Sequence, residues 1–174
     1  GESVHLAEVF NGGFTATSVG GLLAGLLAIP KSEGSKEPRF TIKEVEEIFS
    51  KELSNVFTKS HWWSLGVFGP KYDEASFENV LDKYCGDIRL SDTVTRLMIT
   101  VTDKNTNESK IFDSFDNYSC HIKLKDVIRA TTSAPTYFKP VYNPEAVAGY
   151  NYAAGTPYNY VDGGLAANRP GALA

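Results

Sequence analysis

Apolar and polar positions alternate along this chain in a way that predicts strands and helices in turn. Phe14-Thr15-Ala16-Thr17 is a short β-prone run. Ser18 follows it, and then Val19 to Ile29, 11 residues apolar on every face. A helix that is apolar all round is buried, and Gly20, Gly21 and Gly25 would let it lie close against a sheet. Pro30 and residues 31–38 read as a polar loop. Thr41 with Glu44 three positions on forms a capping box, and Val45, Ile48, Phe49 and Leu53 then mark an amphipathic helix to about Phe57. A second such helix is predicted from about Asp73 to Tyr84, with Phe77, Val80 and Leu81 inward. Residues 96–103 alternate as a strand, Lys104-Asn105-Thr106-Asn107 is a turn, and Lys110 to Phe115 is the next strand. Lys123 to Thr132 is helical until Pro135 stops it, and Tyr158 to Asp162 is a last short strand ending in Gly163-Gly164.

This alternation predicts an α/β fold, a sandwich with a central, mostly parallel sheet. At 174 residues the chain fits one domain, and 42% hydrophobic with 22% charged residues excludes a disordered or fibrous class. Its ends read as cut, the first without a Met and the last within what resembles an opening helical turn. The chain is therefore taken as part of a larger domain. A net charge of −4 and an isoelectric point near 5.4, with no basic stripe, argue against a nucleic-acid partner. The longest apolar run is too short for the ~20 residues of a membrane span, so a cytoplasmic or peripheral membrane setting is favoured. Cys85 and Cys120 read as plain thiols. His5, His61 and His121 have no metal-ligand spacing, so no metal is expected.

The sharpest chemical feature is Ala16-Thr17-Ser18-Val19-Gly20-Gly21. A serine between a strand and a helix, with very small neighbours at −2 and +2, has the form of a nucleophile elbow. The sharp turn pushes the side chain out of the sheet edge, and the helix N-terminus favours negative charge there. The alternative is an N-cap serine on a glycine-rich buried helix. A serine nucleophile needs a base. No His follows His121, so a Ser–acid–His order cannot be built within the chain. The remaining candidate is Asp162, at a strand end before Gly163 and Gly164, where ligands bind in α/β sheets. Its alternative is a simple Asp-Gly turn.

Taken together, these motifs resemble a known family. The elbow is similar to the Gly-Thr-Ser-x-Gly-Gly of patatin-like phospholipases, with Ala16 in place of the first Gly. Asp162-Gly163-Gly164 with Ala167-Asn168-Arg169-Pro170 resembles their Asp-Gly-Gly box and trailing Asn-Asn-Pro, with Arg169 as a departure. Ala130-Thr131-Thr132-Ser133-Ala134-Pro135-Thr136-Tyr137-Phe138 looks like a third family segment. The resemblance implies a three-layer patatin-like sandwich and a Ser18–Asp162 dyad. It also implies an acyl-enzyme route on phospholipids or other glycerolipids, with a transient membrane or micelle surface as partner and no cofactor. It places the oxyanion loop, Asp-Gly-Gly-Gly-x-Arg-Gly, before the elbow. That loop does not occur within residues 1–174, and Asn11-Gly12-Gly13 is not given its role. Trp62, Trp63, Phe68 and Tyr72 read as core packing or as a lipid-facing rim. Two rival functions stay open: a catalytically silent lipid-binding module, and an acyltransferase. Head-group preference and oligomeric state are not legible.

Overall fold

The computed structural model describes residues 12–54, 56, 74–133 and 160–164. Within these residues four strands form one sheet: β1 (Phe14–Thr17), β2 (Leu97–Asp103), β3 (Glu108–Asp113) and β4 (Tyr160–Asp162). Among the described residues four α-helices accompany them: α1 (Val19–Leu27), α2 (Ile42–Ile48), α3 (Glu74–Cys85) and α4 (Leu124–Thr131). A π-helical stretch, Phe49–Leu53, continues α2.

β2 organises the sheet. β3 covers one of its edges in antiparallel register from Met98↔Asp113 to Asp103↔Glu108. The opposite edge is shared by two strands. β1 pairs in parallel with the first half, Phe14↔Leu97 to Thr17↔Thr100, and β4 pairs antiparallel with the second, Val101↔Asp162 to Asp103↔Tyr160. β1 and β4 therefore run head to head, and their C-terminal ends meet beside Thr100 and Val101. Among the described strands only the β1–β2 pairing is parallel, so this part of the sheet is mixed where the sequence suggested a largely parallel one.

β2 is buried along almost its whole length, which explains Leu97, Ile99 and Val101 as the centre of the core. Leu22 and Leu26 of α1, Phe77 and Leu81 of α3, and Leu124, Val127 and Ile128 of α4 join it in one cluster. Phe112 and Tyr160 meet edge-on, with centroids 5.3 Å apart, and join β3 to β4. α1 and α4 approach closely because α1 presents glycines to its neighbour. A Cβ on Gly25 would lie 2.6 Å from Ile128 Cδ1, and one on Gly21 would lie 2.7 Å from Thr131 Cγ2. The tight contact is therefore chiefly with a helix, and only secondarily with the sheet at Ile99. Gly20 differs, because its nearest neighbour would be Ala16 Cβ at 4.0 Å.

Local sequence fixes the element ends. The α2 capping box forms as expected, Thr41 Oγ1 accepting from the Glu44 amide and Glu44 Oε2 from the Thr41 amide. β3 begins and ends two residues before its predicted limits. Asn107, at φ 59°, closes a short turn out of β2, and Asp113 Oδ1 accepts the Phe115 amide at 2.9 Å to end the strand. No described helix is long and apolar enough to cross a membrane.

Candidate active site

Ser18 sits where β1 becomes α1, with φ 54° and ψ −132°. An L-residue reaches positive φ at a cost of about 1–3 kcal/mol, which surrounding contacts must offset. Those contacts are visible. The Ser18 amide donates to Thr131 Oγ1 at 2.8 Å, and Thr131 Oγ1 donates to the Thr100 carbonyl at 2.7 Å. The Gly21 and Leu22 amides close the first turn of α1 onto the Ser18 carbonyl.

Although Ser18 holds the N-cap position, its side chain makes no capping hydrogen bond. The hydroxyl turns instead to Asp162, donating to Oδ2 at 2.5 Å. The head-to-head meeting of β1 and β4 brings these two residues together across 144 positions. Asp162 is itself anchored on three sides. Its amide donates to the Ser133 carbonyl at 2.9 Å, its carbonyl accepts from Thr102 Oγ1 at 3.0 Å, and its Oδ1 takes the Gly164 amide at 2.8 Å. The Asp-Gly turn and the link to Ser18 thus coexist, one carboxylate oxygen serving each. Gly163 is required by close packing: a Cβ there would lie 2.2 Å from the Thr100 carbonyl oxygen and 2.4 Å from Thr17 Oγ1. Ala16 faces Gly20 without crowding, so its methyl in place of the first glycine is accommodated.

Such an arrangement places a hydroxyl, an adjacent carboxylate and the positive end of a helix at one sheet edge. A hydroxyl so placed can yield its proton to the carboxylate as it attacks an electrophile.

The patatin-like phospholipase model matches residues 13–174. This chain belongs to that family. Patatin-like protein 2 of Arabidopsis thaliana is 30% identical over 185 residues, which cover 100% of this chain and 44% of that protein. Patatin-like protein 4 of the same plant is 31% identical over 176 residues, 97% of this chain and 42% of its own length. Patatin group D-2 of Solanum tuberosum is 31% identical over 168 residues, 93% and 40% respectively. The chain therefore spans less than half the length of these patatin-like relatives.

Sequence reasoning singled out the segment 130–138 by resemblance but gave no residue in it a task. Thr131 and Ser133 prove to hold the main chain of Ser18 and Asp162, and Thr132 turns back into its own helix, bonding the Ile128 carbonyl. The remainder of that segment, the Ala167–Pro170 motif, Asn11, His61 and the four aromatics at 62, 63, 68 and 72 lie outside the described residues. Cys85 is buried, and burial pushes its thiol up to about 12, so it stays protonated. Cys120 Sγ contacts the Asn117 carbonyl.

Proposed function

We propose that this chain carries the catalytic pair of a serine lipid acyl hydrolase that cleaves fatty-acyl esters of phospholipids or other glycerolipids. The observation that carries this reading is the Ser18 Oγ–Asp162 Oδ2 hydrogen bond in a strained strand-to-helix turn. In the first half-reaction Ser18 Oγ attacks the ester carbonyl carbon while Asp162 accepts the hydroxyl proton. The tetrahedral species collapses, the alcohol leaves with that proton, and an acyl-serine remains. Water then attacks the acyl-serine and gives a proton to Asp162. Collapse of the second tetrahedral species releases the fatty acid and returns that proton to Ser18 Oγ. The positive end of α1 favours the negative charge on the carbonyl oxygen in both steps.

An apolar groove of about 490 Å³ supports a lipid substrate. Leu23, Leu27, Ile42, Val45 and Phe49 line it, along the helix that Ser18 opens. Val19, next to the nucleophile, and Leu23 and Leu27 follow one another at four-residue spacing, forming one stripe of α1. The lipid is met at a membrane or micelle surface, residues 1–174 belong to a single three-layer patatin-like domain, and the chemistry as written needs no cofactor.

The test is made on the protein with whatever sequence its gene places before Gly1. Ser18→Ala and Asp162→Asn should each lower hydrolysis of a short-chain ester by about a thousandfold or more, with near-normal melting. Ser18 should also be labelled by a fluorophosphonate, whose phosphorus centre mimics the tetrahedral intermediate. No labelling above the Ser18→Ala background, with lipid vesicles still bound, would establish the silent lipid-binding module instead.

A further inference from the structure

The end of α4 and the two residues after it grip both members of the Ser18–Asp162 pair by their main chain. Thr131 is fully buried. Its hydroxyl has one proton, committed to the Thr100 carbonyl at 2.7 Å, which leaves its lone pairs for the Ser18 amide at 2.8 Å. Its methyl lies against Gly21, where any side chain would collide with it. A β-branched residue held at both branches has one side-chain orientation open to it, so its hydroxyl is a fixed point. Two residues on, the Ser133 carbonyl takes the Asp162 amide at 2.9 Å. Ser133 is pinned in turn, its Oγ donating to the Arg129 carbonyl at 2.6 Å and accepting from Arg129 Nη1 at 2.7 Å.

We propose that Thr131 is a positioning residue for the reaction at Ser18. Resting on the hydrolase reading above, it holds the nucleophile's backbone at φ 54° so that the hydroxyl points at Asp162. The contact has a second effect. The Ser18 amide, already bound to Thr131, takes no part in receiving the developing oxyanion, and that charge falls to other donors.

Thr131→Val keeps the shape and removes the hydroxyl; Thr131→Ser keeps the hydroxyl and removes the methyl. Ester hydrolysis, melting and hydrogen exchange at the Ser18 amide are measured on the full protein. Thr131→Val should lower kcat by about ten- to a hundredfold with KM little changed, because small misplacement of a nucleophile costs rate rather than binding. The Ser18 amide should lose its exchange protection in the same variant, and Thr131→Ser should restore both. If Thr131→Val melts below the assay temperature, Thr131→Ala takes its place with the same expectations. Wild-type kcat, intact Ser18 protection, or a kcat loss that Thr131→Ser fails to restore would overturn the proposal. A wild-type protein no faster than Ser18→Ala would overturn the hydrolase reading, and this proposal with it; that outcome involves no Thr131 variant and is distinguishable from the others.

Discussion

The elbow and the α2–α3 face are both rich in polar contacts, and they are held in opposite ways. Around Ser18 the bonds that join distant elements lie in partial or full burial: the Ser18 amide with Thr131, Thr131 with Thr100, Asp162 with Ser133 and Thr102. On the α2–α3 face, Glu52 takes the Lys83 ammonium at 2.7 Å and also the Tyr84 hydroxyl, with Lys83 59% exposed at its side chain. Water can replace the partners of an exposed ion pair, whereas a buried amide that loses its acceptor has nothing to replace it. Bonds of similar length in the two places therefore contribute unequally to the fold.

Gly163→Ala should produce the largest contrast. Its Cβ would enter the Thr100 carbonyl and Thr17 Oγ1, where backbone on β2 cannot yield cheaply. A loss of about 3 kcal/mol or more is expected in denaturant unfolding. A wild-type midpoint would mean that β4 can leave β2 without cost. The paired glycines of α1 come next. Gly21→Ala drives a methyl against buried Thr131 and should destabilise by about 1–3 kcal/mol. Gly20→Ala meets only Ala16 at 4.0 Å and should stabilise by up to about 1 kcal/mol through helix propensity. Equal shifts from the two would dissolve the distinction between them.

The smallest effect belongs to the exposed face and depends on pH. The Lys83 ammonium, and after it the Tyr84 hydroxyl, hold the Glu52 carboxyl below its ordinary value near 4.5. A carboxylate with a lowered folded pKa contributes stability above its unfolded value, and that contribution is lost as pH falls through the folded one. Glu52→Gln should therefore lower the melting midpoint at pH 7 by less than about 4 °C. The gap between variant and wild type should close as pH drops below about 4. A gap that persists there would place the Glu52 contribution in packing instead.

These contrasts also mark how far the sequence could be read. β1 at Phe14–Thr17, the Thr41–Glu44 cap and the helices near Glu74–Cys85 and Leu124–Thr131 follow from patterns repeating within a few residues. The π-helical stretch Phe49–Leu53 does not, because the spacing of Val45, Ile48, Phe49 and Leu53 suits a regular helix equally well. Ser18 and Asp162 stood out through their small neighbours, but nothing local says that β4 runs antiparallel beside β2 or ends against β1. The difference between Gly20 and Gly21 depends on which side of α1 meets α4, and the sequence singles out the segment around Thr131 without giving Thr131 a task. Those facts belong to pairs of elements far apart in the chain.

The head-to-head meeting of β1 and β4 also has a consequence in time. The elbow is local and can form once β1 and α1 exist, but the carboxylate beside Ser18 arrives from 144 residues later. Closing so long a loop is slow chiefly because the contact is non-local, and chains emerge from synthesis N-terminus first. A growing chain therefore displays Ser18 long before it owns Asp162. Its hydroxyl gains the Asp162 hydrogen bond only when β4 docks on the half of the β2 edge that β1 leaves open. Reactivity at Ser18, followed during refolding, would report the arrival of β4, as one of the last events in assembling this part of the fold.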